Sequence, residues 1–257
     1  MDILIISLAA FLTAILTFFS GFGLGTLLTP VFALFFPIDL SIALTGVVHF
    51  FNNIFKIFLV GKNADKSVLI RFGVPAIFAA LIGSWVLLQI SDFQPLFSYG
   101  FMGREFMVTP VKLTISILLI VFSLIDLVPF FEKVRIEPKH LPVGGVLSGF
   151  FGGLSGHQGA LRSAFLIKAD LSKEAFIGTS VVIGTLIDFS RLSVYATRFL
   201  EVGLMENFRL VLTATLSAIW GAYFGNKLLK KVTFKFLQQF IAILLILISI
   251  ALGAGWI

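Results

Sequence analysis

The stretch GGLSGHQGALRS (152–163) interrupts an apolar run with glycines and restarts it with hydroxyl, amide and guanidinium donors. A related stretch, GFGLGTLLTP (21–30), does the same near the start of the chain. The surroundings of both are strongly apolar. Hydrophobic residues make up 58% of the 257, charged residues 12%, and mean hydropathy is +1.07. A soluble domain carries about 25% charged residues, so this chain cannot clothe a globule in polar side chains. Disorder, a nucleic-acid binder and a soluble cytosolic enzyme are excluded on that ground. The composition instead predicts an all-α polytopic membrane protein.

Working outward from the two breaks, polar clusters divide the chain into apolar spans at 3–19, 22–36, 40–60, 68–90, 109–131, 141–154, 159–168, 174–197, 205–226 and 236–257. A spanning helix needs about 20 residues. The spans on either side of each break are shorter than that. They read as half-helices or re-entrant hairpins, which a bilayer tolerates only where protein or a wet cavity covers the freed backbone. The two halves also resemble each other. A shift of 131 residues lays Gly21 on Gly152, Gly25 on Gly156, Ala33 on Ala164 and Asp39-Leu40-Ser41 on Asp170-Leu171-Ser172. With small gaps Arg71 then meets Arg209 and Gly83 meets Gly221, while 95–108 reads as an inserted loop. The order short, short, long, long, long recurs in both halves. The chain therefore divides into an N-terminal transmembrane repeat, 1–136, and a C-terminal one, 137–257.

Cationic residues decide the relative orientation of the halves. If each broken pair crosses twice, or dips in and returns, one side collects Lys62, Lys66, Lys133, Arg135, Lys139, Lys168, Lys173, Lys227, Lys230, Lys231 and Lys235. The other side keeps Arg104, Lys112, Arg198 and Arg209. Lys and Arg accumulate in cytoplasmic loops, and this also explains the net charge of +6 without a nucleic-acid partner. An odd number of crossings per half follows, so the repeats are inverted, with both termini periplasmic and the protein in a bacterial inner (cytoplasmic) membrane. The opening residues lack a basic n-region and a cleavage site, so no cleavable signal peptide is expected. The absence of cysteine leaves no disulfide framework and no thiolate metal site.

Inverted repeats with broken helices place substrates near the midplane, because a helix start offers unpaired N–H groups and a partial positive charge. The candidate break glycines are Gly21, Gly23 and Gly25 in one half and Gly152, Gly153, Gly156 and Gly159 in the other. Glycines also serve simply to let helices approach. Donors at the breaks are Thr26, Ser155 and Gln158, joined by Thr179 and Ser180 from the next helix start; these would hold an anionic head group. Arg162 follows the second break, and Arg191 follows Asp188 by three residues, so that this acid and base share a helix face and can pair. Both arginines are candidates to supply positive charge, and the pairing with Asp188 is also readable as purely structural. His49, Asn52 and Asn53 share one face of the third span, with both asparagines candidate substrate ligands or interhelical glue. Lys56, a turn further, reads as a side chain snorkelling to the interface. His157 and Asp188 are the ionisable groups suited to proton coupling, though His157 is equally readable as a backbone bridge. Asp39 and Asp170 read as helix caps.

On these residues the sequence resembles the TauE/SafE sulfite exporter family, also called TSUP. The hallmark is a Gly-rich stretch entering a Pro-containing apolar helix, a short polar turn, and a helix start resembling A-x-G-T-S, present in each half. The copies here are SGFGLGTLLTPVFALFFPIDLSIALTG (20–46) and FFGGLSGHQGALRSAFLIKADLSKEAFIGTS (150–180), the second ending in Ala175-Phe176-Ile177-Gly178-Thr179-Ser180. In the second copy His157-Gln158 interrupts the family's glycine run, and Arg162 stands near its proline. The resemblance implies transport of sulfite, sulfoacetate or another organosulfonate, export by alternating access being expected. The residues by themselves argue for a small anion; sulfur comes from the resemblance.

Other readings stay open at this point. A passive anion channel would use the same residues. A cation transporter would centre on Asp188 and the break carbonyls. Gly153-Leu154-Ser155-Gly156 followed by His157 also matches the G-x-S-G of intramembrane serine proteases, whose base normally comes from another helix. No catalytic residue, metal or cofactor is expected. The expected partners are a small anion and the lipid bilayer, with no nucleic acid and no oligomeric state specified by the sequence.

Overall fold

Ten helices and one β-hairpin follow one another among the residues described by the computed structural model, namely 2–18, 24–127, 137–199, 207–228 and 234–257. They are α1 (Asp2–Thr17), α2 (Leu24–Ala33), α3 (Ile38–Val60), α4 (Lys66–Ser91), β1 (Phe97–Phe101), β2 (Arg104–Val108), α5 (Pro110–Leu127), α6 (Leu141–Ser155), α7 (Gly159–Leu166), α8 (Lys173–Phe199), α9 (Phe208–Leu228) and α10 (Phe234–Gly253). Among the described residues, α3, α4 and α8 are long and apolar enough to cross a membrane. Their outward faces carry Phe58, Phe78, Trp85 and Phe189, exposed, whereas serines, threonines, asparagines and arginines lie buried. Apolar groups outside and polar groups inside is the layout of a lipid-facing protein.

Backbone meets backbone along α4 and α6. A Cβ placed on Gly145, Gly149 or Gly153 would come within 2.2 Å of the carbonyl oxygens of Phe72, Ala76 and Ala80 respectively. The contacts advance together every four residues, so the helices run parallel in glycine-lined contact. Gly221 and Gly225 of α9 lie likewise against the carbonyls of Phe11 and Ile15 in α1, again in parallel. By contrast α3 and α8 are antiparallel. Gly46 meets Arg191 and Leu192, Asn53 meets Gly184, and the Val60 carbonyl meets Gly178. Finally α5 packs on α10, with Ile115 and Leu119 clustering with Leu245 and Leu252, and Gly253 against Ser116.

The ends of the molecule are tied down separately. At one end the turn between α3 and α4 caps itself, Val68 N donating to the Asp65 carboxylate at 2.8 Å. The same turn joins the start of α8, where Asp65 N donates to Thr179 Oγ1 at 2.8 Å. At the other end the α2–α3 turn, Lys112, Trp256 and Ile257 line a pocket of about 330 Å³. Residues 95–108, an inserted loop by the sequence reading, instead hold the hairpin β1–β2. Its turn residues Met102 and Gly103 both take positive φ, 49° and 75°, matching the right-handed twist of the strands. Tyr99 Oη donates to Ala254 O at 2.7 Å and accepts from Trp256 Nε1 at 2.9 Å, stapling the hairpin to the chain end.

Two local expectations are corrected. Neither aspartate caps a helix: Pro37 precedes α3 with Asp39 inside its first turn, and Ser172 Oγ accepts from Ala175 N at 3.2 Å ahead of α8. Asp170 instead forms a left-handed turn residue with φ 50°, a conformation its short polar side chain tolerates. The second break is also narrower than the glycine run. Helix α6 continues through Gly152 and Gly153 and stops at Gly156, whose φ of 79° closes it. Gly153 serves close packing against Ala80 and Ser84. Gly21 and Gly23 lie outside the described residues.

Candidate functional site

Asp188 sits near the middle of α8, fully buried, and is surrounded by donors from three elements. From α3, His49 Nδ1 donates to Oδ2 at 2.6 Å, joined by Asn53 Nδ2 at 3.3 Å. From the second break, Gln158 Nε2 donates to Oδ1 at 2.9 Å. From α8 itself, Arg191 Nε and Nη2 reach Oδ1 at 3.0 and 2.8 Å. A carboxylate offers about four lone-pair positions, and five donors compete for them here. In this arrangement every lone pair of the carboxylate faces a donor of the protein. Among the described residues no three His, Asp or Glu side chains gather into a group that could hold a metal ion.

The cluster extends through Gln158, whose Oε1 accepts from Arg162 Nη1 at 2.8 Å. Gln158 thus links the break to both Asp188 and Arg162. Its own position is fixed by Ser148 Oγ, which donates to Gln158 O at 2.8 Å. Arg162 reaches α3 and α8 together: a Cβ on Gly184 would lie 3.0 Å from Arg162 Nη1 and 3.1 Å from Asn53 Nδ2. A side chain at 184 would press on the guanidinium, which would have to give by a few tenths of an ångström. Arg191 Nη1 lies buried without a hydrogen-bond partner, beside Gly156. Gly25 of α2 approaches the Gly156 carbonyl, its Cβ position 3.3 Å away. The two breaks therefore meet, and the Arg191 guanidinium lies where they do. Tyr195 Oη supports the same wall by donating to Gly153 O.

Other expected site residues fall into two groups. Asn52 is fully buried with both amide atoms unpartnered, as is the hydroxyl of Ser180. In a membrane interior such groups have no water to turn to, and each leaves desolvation uncompensated unless a ligand arrives. Ser155 and Thr179 are already engaged. Ser155 Oγ donates to Phe151 O at 2.9 Å, and Thr179 accepts from Asp65 at the far end of α8, about 13 Å along the helix from Asp188. Thr26 is half-buried at the start of α2. Gly159 opens α7.

His157 Nδ1 lies 2.8 Å from Ser155 O and 3.2 Å from Ser155 Oγ, its ring stacked on Phe122. A carbonyl only accepts, so Nδ1 carries the hydrogen and has no lone pair for the serine. Nε2, the remaining acceptor, is buried and unpartnered. Ser155 and His157 are thus not arranged as nucleophile and base. Lys56 departs from expectation. Instead of snorkelling it is buried, 5% exposed, with Nζ 5.3 Å from the Phe18 ring centroid. No sequence signal marks it, because burial depends on which helices cover that face of α3.

Among the described residues Lys56, Arg162 and Arg191 are buried cations, and Asp188 is the buried carboxylate.

The family model described as Sulfite exporter TauE/SafE matches residues 6–252. No curated protein and no solved structure matches the chain.

Proposed function

Because the chain belongs to the TauE/SafE sulfite exporter family, we propose that it is a secondary transporter that carries a small sulfur-containing anion across the cytoplasmic membrane, sulfite, sulfoacetate or another organosulfonate being the substrate. The observation carrying this reading is the pair of buried guanidiniums, Arg191 beside Gly156 where the two breaks meet and Arg162 linked to the same break through Gln158. Arg191 Nη1 and Arg162 provide charge. Asn52, Gln158, Thr26 and the hydroxyl of Ser155 provide donors near the breaks, the engaged ones becoming available as the helices shift, while Ser180 and Thr179 stand further along α8 as donors on the path to the site. Asp188 holds Arg191, His49 and Gln158 in place, and His157 Nε2 is the ionisable atom left open for proton coupling.

The reading extends to architecture. In it, 1–136 and 137–257 are inverted repeats that rock about the site, exporting by alternating access. The packing pattern supports this: exchanging α1–α5 with α6–α10 turns the α4–α6 contact into α9–α1 and returns α3–α8 and α5–α10 to themselves. The antiparallel course of α3 and α8 fits opposite orientations of the halves. His49 lies midway along α3, which suits a site at half the membrane's depth. Lys62 and Lys66 share an end with Lys173, opposite Lys112 and the hairpin, which suits cytoplasmic basic turns and periplasmic termini.

The test is uptake of labelled sulfite into proteoliposomes under an imposed anion gradient. The wild type is expected to accumulate sulfite and the Arg162→Ala variant to fall to the protein-free rate. Equal rates with and without the protein would contradict the proposal.

A further inference from the structure

We propose that the seam between α3 and α8 holds a second anion-binding position, made by Lys56, Asn52 and Ser180, where the substrate pauses between the breaks and the membrane face carrying the basic turns. The inference rests on the anion-transport reading and adds a station to its path. The two helices run antiparallel in a register set by His49 against Asp188, Asn53 against Gly184 and Val60 against Gly178. On that register Lys56 comes level with Ser180. Ser180, Gly184 and Asp188 follow at intervals of four, so Ser180 shares the face of α8 that is turned to α3. Asn52 precedes Lys56 by four residues and shares its side of α3. The position lies about 10–12 Å along the helices from the His49–Asp188 pair, towards the end that carries Lys62, Lys66 and Lys173.

The members are buried with bonding capacity unspent. Asn52 and Ser180 are fully buried, and neither the amide of the one nor the hydroxyl of the other has a hydrogen-bond partner. Lys56 is buried too. Among the described residues its Nζ lies over the Phe18 ring, just after α1, and no carboxylate pairs with it. A ring face compensates a buried cation only in part, and buried polar groups without partners are costly. Apolar side chains would seal the seam without that cost, so a visiting ligand accounts for the polar set. Together the three supply what a small oxyanion needs: a positive charge, an N–H donor and an O–H donor. Lys56 brings its charge on a flexible stem rather than a rigid fork, which suits a position that passes the anion on.

Because the chain contains no cysteine, Ser180→Cys places a single thiol in the position. The detergent-purified full chain is treated with two methanethiosulfonates of similar size, one ending in a sulfonate and the other in a trimethylammonium group. Modification is followed by intact mass, and the ratio of the two rates is compared with that of Ser98→Cys in the exposed hairpin. The sulfonate reagent should be favoured at 180 by at least about tenfold relative to 98. Sulfoacetate should slow modification at 180 and leave 98 unchanged. Adding Lys56→Met should remove at least about threefold of the preference, and adding Lys56→Arg should keep it. Asn52→Cys replaces Ser180→Cys, with the same expectations, if that variant does not fold. An equal ratio at the two positions, or no modification at 180 in a protein that takes up sulfite, overturns the inference and leaves the transport reading intact. Selective modification at 180 in a protein that takes up no sulfite overturns the transport reading, and with it the role as a station, while the anion position itself stands.

Discussion

In the proposed site Asp188 serves without touching the substrate, by holding Arg191 in place. Removing one partner of a buried pair leaves the other charge uncompensated, costing about 3–5 kcal/mol, whereas replacing both with apolar groups is far milder. Asp188→Asn should therefore destabilise the protein by roughly that amount in denaturant titration. The double variant Asp188→Asn/Arg191→Met should recover much of the loss, although anion binding should not return. Additive losses would show that the two side chains act independently. At this scale the sequence was informative where partners are neighbours. The three-residue spacing of Asp188 and Arg191 predicted their pairing. It placed His49 on a face with Asn52 and Asn53 but did not pair it with Asp188, 139 residues away, to which it donates at 2.6 Å, and it read Lys56 as snorkelling because burial is decided by tertiary packing.

Among the elements, α6 shows why the glycines of this chain have two separate uses. Gly145, Gly149 and Gly153 admit the α4 backbone, while Gly156 turns the chain at positive φ. Gly149→Ala would set a Cβ 2.2 Å from the Ala76 carbonyl, and overpacking of this kind costs about 1–3 kcal/mol or more. Gly100→Ala meets open space in the hairpin and should melt within about 0.5 kcal/mol of wild type. If the two variants melt alike, α4 and α6 do not pack as closely as described. The helices themselves were largely legible in sequence, because apolar runs bounded by polar clusters agree with helix positions to within a few residues. The hairpin was not, since Met102-Gly103 lacks the Asn-Gly signature of a tight turn. Nor was the extent of the second break, because a glycine run does not reveal which member leaves the helix.

The whole molecule offers a test of its own orientation. The chain contains no cysteine, so single cysteines can be introduced at will. Ser67→Cys lies in the exposed first turn of α4 and Ser98→Cys in the exposed hairpin. In intact cells an impermeant maleimide should label position 98 and spare position 67 until the membrane is opened. The reverse pattern would invert the proposed topology without disturbing the site.

The central claim, that a cation-rich interior between two helix breaks holds an anion, is tested most directly by thermal stabilisation of the purified protein against a panel of salts. Sulfite and sulfoacetate at about 100 times their dissociation constants should stabilise it by about 2.7 kcal/mol, with no comparable shift from sodium or chloride and none in Arg162→Ala. Stabilisation by cations alone, with Arg162→Ala behaving as wild type, would contradict the account and make Asp188 the centre of a cation site.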